Sequence, residues 1–242
     1  MAQDELRFQY PLLALKFPDD ETFASFYPGQ NATLITQLKN SVVGTGEPVL
    51  YMWGESGSGR SHLLHALCSE VDERGESVAY IPLHHHQGMS LDIFENMESM
   101  SLLCIDNIDA IAGNKQWEKA LFDFYNRWVD NKEQRVKGAS LILCANDLPK
   151  QINIKLKDLV SRLEWGACYH LAPLNDEEKL GALQLRAELK GMKLPVDVGR
   201  FLLNRLSREM DLLLNTLDRL DNASLEAQRK LTIPFVKEVL AL

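Results

Sequence analysis

The four cysteines, Cys68, Cys104, Cys144 and Cys168, form no C-x-x-C pair. That excludes a dithiol redox or zinc-ribbon module, and because three of the four lie in apolar runs they are expected as reduced core residues. Basic residues are in deficit: 26 lysines and arginines stand against 34 aspartates and glutamates, a formal net charge of −8. A surface of that sign repels a phosphate backbone, which argues against a dedicated DNA binder. No apolar run reaches membrane length, and no charged-then-apolar leader opens the chain. A soluble, cytoplasmic protein with no membrane contact is expected. Internal repeats and low-complexity tracts are missing too.

What is present is a globular composition, 45% hydrophobic and 25% charged over 242 residues. That length suits one large domain, or a medium one with a small companion. Residues 1–30 mix apolar side chains with Pro11, Pro18 and Pro28, which disfavours helix and predicts an extended arm followed by a loop. Helical spacing then begins at Leu34, Ile35 and Leu38. Short, nearly continuous apolar runs follow at 49–54, 77–83, 101–107, 140–146 and 167–171, with amphipathic helical segments between several of them. Runs of that kind are strands buried on both faces of a parallel sheet, with helices as crossovers. After Pro173 the pattern turns entirely helical, in four segments. Asn175 and Asp176 are N-cap candidates, and Pro195 and Pro234 suit first turns. The expected organisation is an arm over 1–17, an α/β domain with a five-stranded parallel sheet over 18–172, and a small all-helical domain over 173–242.

The chemistry gathers at strand ends. The run at 49–54 passes into "GESGSGRS", residues 54–61, and then a helix. This is the G-x-x-x-x-G-K-[ST] phosphate loop with Arg60 where lysine is expected. Gly54, Gly57 and Gly59 let the backbone close around phosphate oxygens, with Ser56 and Ser58 between them, and Ser61 offers a hydroxyl to Mg²⁺. The alternative is a tight strand-to-helix turn. Arg60 keeps the cation but is bulkier than lysine, so a diphosphate is accommodated more securely than an aligned γ-phosphate. The run "LLCIDNI" ends in Asp106, the position of a metal-organising acid. Asn107 follows where many such ATPases have a water-activating acid, and an amide accepts no proton. Arg60 and Asn107 together point to a site that binds nucleotide better than it hydrolyses it. Asn146 ends "SLILCAN", as a polar group near a terminal phosphate or as a loop cap. Arg162, in "LVSRLEWG", is either a surface helix arginine or one presented to a neighbouring subunit's phosphate. Arg208, in "SREMDLLL", is a second-domain candidate or a solvated helix end. Metal binding by the His84–His85–His86 cluster is disfavoured for want of other ligands. His62, His65 and His170 read as packing or surface residues on their own.

In this order the motifs resemble the AAA+ ATPases, and among them the bacterial initiator DnaA, over residues 18–242. The resemblance implies that Tyr27, Pro28 and Asn31 touch adenine, that 54–61 is the Walker A loop with His62 next to it, and that Asp106 ends Walker B. It also makes Asn146 sensor 1, Arg162 an arginine finger and Arg208 sensor 2, with a helical lid over 173–242. Where DnaA continues into a helix-turn-helix domain this chain stops at Leu242, so sequence-specific DNA binding is not expected. The arm carries "QYPLLAL", which looks like peptides that dock on the bacterial sliding clamp, the DNA polymerase III beta subunit, through Gln9, Leu12, Leu13 and Leu15. The composite is closest to DnaA-related regulators that inactivate DnaA. Its implied ligand is ADP or another adenine nucleotide, with Mg²⁺ through Ser61 and Asp106, and its implied partners are clamp and DnaA. Weak or absent hydrolysis of its own is expected. Relatives assemble through the nucleotide interface, so a homodimer or higher oligomer is also implied. The rival readings are an autonomous ATPase of helicase-loader type, a DNA-binding initiator, and a passive clamp adaptor.

Overall fold

The computed structural model describes residues 17–130 and 136–242; Gln9, Leu12, Leu13 and Leu15, the expected clamp-docking residues, lie outside them. The chain divides into two units. Residues 31–172 belong to the first together with the segment ending at Phe23, and residues 24–30 and 173–242 form the second.

In the first unit, β1 (Val49–Trp53), β2 (Val78–Pro82), β3 (Leu102–Asp106), β4 (Ser140–Ala145) and β5 (Ala167–His170) make one parallel sheet in the order β2-β3-β4-β1-β5. Every residue of β3 and β4 is buried, because both faces of these inner strands are covered. The helix α1 (Ala32–Val42) precedes β1, and α2 (Arg60–Glu73), α3 (Lys115–Asp130) and α4 (Lys157–Leu163) lie between β1 and β2, β3 and β4, and β4 and β5. The strand order matters more than the strand count. β4 lies between β1 and β3, so the chain ends leaving β1, β4 and β3 are neighbours at one edge of the sheet. Ligand sites of open parallel sheets form at such a crevice, outside the carboxyl ends of the strands.

One expectation from the sequence needs correction. Cys68, Cys104 and Cys144 are buried free thiols, but Cys168 is exposed. It lies on β5, an edge strand whose residues alternate between half-buried and exposed. A strand with one neighbour leaves every second side chain open to solvent, which its apolar neighbours in sequence do not reveal.

Glu118 is a second feature that the sequence pattern did not bring out. It is 1% exposed on the inner face of α3, among Trp117, Leu121, Phe124, Tyr125 and Trp128. Its Oε1 accepts from the backbone N–H of Gly113 (2.6 Å) and Lys155 (3.0 Å), and its Oε2 from that of Leu156 (2.9 Å). A buried carboxylate is tolerated because backbone donors satisfy it. The contacts join the turn before α3 to the chain entering α4.

The second unit contains α5 (Asp176–Leu189), α6 (Val196–Arg205), α7 (Met210–Ala227) and α8 (Ile233–Leu240). Asn175 caps α5 in a full capping box, its side chain accepting from the Glu178 N–H while Glu178 accepts from the Asn175 N–H. Thr232 caps α8, with Pro234 in the first turn. Leu183, Leu202, Leu213, Leu217, Leu220 and Phe235 form its core. Gly181 is required here: a Cβ would meet the Tyr27 ring at 2.7 Å.

Candidate functional site

The loop at 54–59 leaves β1 and enters α2 through glycines that cannot be replaced freely. A Cβ on Gly54 would meet the Leu171 carbonyl oxygen at 2.6 Å. Gly57 and Gly59 have φ of 76° and 96°, the left-handed region. Gly59 is the N-cap of the 14-residue α2 and supplies no side-chain cap, so the helix's first N–H groups face the loop. Two polar atoms in this loop and the following turn, Ser58 Oγ and Arg60 Nη1, are buried without a hydrogen-bond partner. The Arg60 side chain is 10% exposed, with Nη1 4.0 Å from Asp109 Oδ1.

Asp106 ends β3 fully buried. Its Oδ2 accepts from Ser61 Oγ (2.6 Å) and Tyr80 Oη (2.9 Å), and its Oδ1 from the Asn107 N–H (2.8 Å). Burial and the neighbouring Asp106 carboxylate push the Tyr80 hydroxyl far above the ordinary tyrosine range, so it stays a donor. Ser61 in the first turn of α2 and Asp106 at the end of β3 thus bring two hard oxygen atoms together, a donor set suited to Mg²⁺.

Asn107 has φ 56°, a left-handed conformation that asparagine tolerates, and its Oδ1 lies 2.8 Å from His84 Nδ1. One member of the histidine cluster therefore meets the end of β3, a contact the sequence does not predict. Asn146, exposed after β4, reaches the same place through its backbone, its N–H donating to Asp109 Oδ1 at 2.9 Å. Asp109 was missed as well. The available signal was an acid three residues beyond Asp106 at the start of a short helical turn, Ile108–Ile111. It accepts from the Asn146 N–H at hydrogen-bond distance and faces Arg60 Nη1 only at the longer 4.0 Å of a loose ion pair.

The loop at 54–61, Asp106, Asn107 and Asn146 converge at the sheet edge. His62 turns elsewhere: its Nε2 lies 2.9 Å from the Thr22 carbonyl oxygen. The Asn31 side chain is buried and pairs with the Ala172 backbone, Nδ2 donating to the carbonyl (3.0 Å) and Oδ1 accepting from the N–H (2.8 Å). Tyr27, Pro28 and Arg208 belong to the second unit. There Tyr27 rests on Gly181, Pro28 is exposed, and Arg208 Nη1 pairs with Asp176 Oδ2 at 3.2 Å. Arg162 sits in the last turn of α4, half-buried, with its guanidinium carbon 5.2 Å from the centre of the exposed Trp165 ring. Among the described residues it has no ion pair.

The flank of α2 carries a pH response. Burial holds the His62 ring below its ordinary value of 6.5, outweighing the Thr22 carbonyl that favours the charged ring. The hydrogen bond to His65 holds Glu21 below its ordinary 4.5, against the opposing effect of burial. Both values are depressed in the fold, so each contribution is present above the ordinary value and lost as pH falls through the lowered one. The melting temperature should therefore drop on acidification below pH 6.5, where unfolded His62 starts to bind protons, and again below pH 4.5. His62→Gln should flatten the upper step and Glu21→Gln the lower, in melting curves recorded across pH.

A parallel five-stranded sheet flanked by helices, with a glycine loop after β1, acidic and polar strand ends beside it and a separate helical unit, defines a nucleotide-binding fold of AAA+ type. The same fold is found in domain III of the Thermotoga maritima replication initiation protein DnaA. It shares 20% identity and a TM-score of 0.76, over 94% of this chain and 98% of that one. AMPPCP-bound DnaA from Aquifex aeolicus matches with a TM-score of 0.69 at 20% identity, over 88% of this chain and 69% of that one. A point mutant of Thermotoga maritima RuvB matches with 0.67 at 14% identity, over 93% and 72%. The chain belongs to the family of the bacterial DnaA ATPase domain, whose model matches residues 18–170. Residues 176–240 match the model described as the Hda lid domain. A DnaA-type ATPase domain is thus followed by an Hda-type lid. Among the described residues no helix is long and apolar enough to cross a membrane.

Proposed function

We propose that this chain is a regulator of replication initiation that holds an adenine nucleotide and acts on DnaA. The observation that carries the reading is a pair of buried atoms that make no hydrogen bond, Ser58 Oγ in the loop and Arg60 Nη1 at the start of α2. A buried polar group left unmade costs about 1–3 kcal/mol. An anion against the helix N-terminus satisfies both atoms and is favoured by the helix dipole. The ligand assigned is ADP, in keeping with a phosphate loop and with a fold that binds AMPPCP in the Aquifex relative. In this reading 18–172 is the nucleotide-binding domain and 173–242 the lid. Gly54, Ser56, Gly57, Ser58, Gly59, Arg60 and Ser61 embrace the phosphates, and His62 braces the turn. Tyr27, Pro28 and Asn31 serve the adenine end, and Asn146 and Arg208 the terminal phosphate. Mg²⁺ is held through Ser61 and Asp106; it supplies charge neutralisation at the phosphates.

The chain's own residues are poorly equipped to drive hydrolysis. Asn107 has no carboxylate to activate water, and its carbonyl oxygen is occupied by His84. Arg162, by contrast, carries a charge with no acidic partner among the described residues. The role assigned to it is an arginine finger that enters the ATP site of DnaA. The arm over 1–17 tethers the protein to the DNA-loaded sliding clamp through Gln9, Leu12, Leu13 and Leu15, which raises its effective concentration near DnaA.

The test of the nucleotide site is calorimetric titration with ADP. Arg60→Ala removes a charge-assisted hydrogen bond worth roughly 1.5–3 kcal/mol, so affinity should fall about 10- to 100-fold. Unchanged ADP affinity in this variant, or no ADP binding by the unaltered protein, would rule the reading out.

A further inference from the structure

We infer that Trp165 is a positioning residue that holds the Arg162 guanidinium ready for a partner's triphosphate. The inference rests on the finger role proposed above and assigns a function to a side chain that has none in it.

Trp165 stands apart from the other tryptophans. Trp117 and Trp128 are buried and Trp53 stacks on His170, whereas Trp165 is 75% exposed. Its ring lies against the guanidinium of Arg162. The backbone fixes the pair: α4 ends at Leu163, and the Trp165 N–H donates to the Arg162 carbonyl at 3.1 Å. That turn sets the indole beside the arginine three residues earlier.

The choice of an aromatic holder has a chemical consequence. Arg74 is held by Glu76 at 2.8 Å; Arg127 and Arg229 lie over Phe124 and Phe235 but also pair with Glu98 at 2.7 Å and Glu238 at 2.9 Å, and Arg205 lies over Phe201, its guanidinium carbon 6.0 Å from the ring centre. A carboxylate would neutralise the charge and occupy the N–H fork that a phosphate needs. An indole face attracts the cation while leaving every guanidinium N–H free at the edge. A free arginine side chain samples many rotamers. Restricting it before docking makes more of each encounter productive.

The experiment is single-turnover hydrolysis of ATP preloaded on DnaA, with clamp on DNA, titrating full-length protein and separating the maximal rate from the half-saturating concentration. Trp165→Leu should lower the maximal rate about five-fold, the equivalent of an exposed cation–π contact, with a smaller change in half-saturation. Trp165→Phe, which keeps a ring face, should restore the rate to within about two-fold. In NMR spectra the Arg162 side-chain signals should carry a ring-current shift that Trp165→Leu abolishes and Trp165→Phe retains. An unchanged maximal rate in Trp165→Leu, or equal loss in the leucine and phenylalanine variants, overturns the inference. Arg162→Ala in the same assay separates the two ideas. If it stimulates fully, the finger role and this inference both fall; if it is inert while Trp165→Leu is fully active, only this inference falls.

Discussion

Arg162→Ala should leave the protein folded and abolish its action on DnaA. The side chain is half-buried, packs on an exposed indole and has no ion pair among the described residues. Truncating it therefore removes little packing, and stability should stay within about 0.5 kcal/mol of the unaltered protein. The functional loss should be large. An arginine supplied in trans neutralises charge that develops on the transferred phosphoryl group, and contributes about 10³–10⁵ in rate. Arg162→Lys should recover only part of the loss, because an ammonium keeps the charge but not the planar two-pronged donor set. The check is the rate constant for ATP hydrolysis on DnaA with each variant at saturating concentration, beside a melting curve. A severely destabilised alanine variant would show that the side chain has a structural duty its surroundings do not indicate.

Glu118→Ala should produce a large loss of stability in the first unit. Its carboxylate satisfies the N–H groups of Gly113, Lys155 and Leu156, and alanine leaves all three without that acceptor. At about 1–3 kcal/mol for each buried donor left unmade, and allowing for partial access of water, the cost is on the order of 3–5 kcal/mol. Glu118→Gln keeps one acceptor oxygen but turns an amide NH₂ toward a backbone donor, so it should fall between. The effect should be local before it is global. Lys155 and Leu156 lead directly into α4, which carries Arg162. Hydrogen exchange over 155–163 should accelerate in Glu118→Gln before the rest of the sheet loosens. Denaturant melts give the magnitude, and a midpoint unchanged in Glu118→Ala would contradict the assignment.

The sheet was legible because inner parallel strands are uniform apolar runs, and those runs can be read one at a time. The glycine loop was legible because its spacing is local and both flanking elements are visible beside it. Strand order was not, since it depends on which crossover passes over which neighbour. Without it the convergence of Gly54, Asp106 and Asn146 rested on resemblance to a family. Cys168 was misplaced for the same reason: an apolar run on an edge strand looks like one in the middle. Glu118 did leave a trace, as a charge three and seven residues from Leu121 and Tyr125 on an otherwise apolar helix face. Its partners, up to 38 residues away, left none. Asp109 and His84 were invisible as site residues because their contacts, with Arg60, Asn146 and Asn107, cross between separate strand ends.

The most direct test compares two triphosphate pools in one reaction. DnaA is loaded with ATP labelled at the γ-phosphate and mixed with this protein and DNA-loaded clamp; in parallel, this protein alone is given the same labelled ATP. The account predicts rapid release of phosphate from the DnaA pool and almost none from the protein alone. Brisk turnover by the isolated protein, with no acceleration on DnaA, would contradict it.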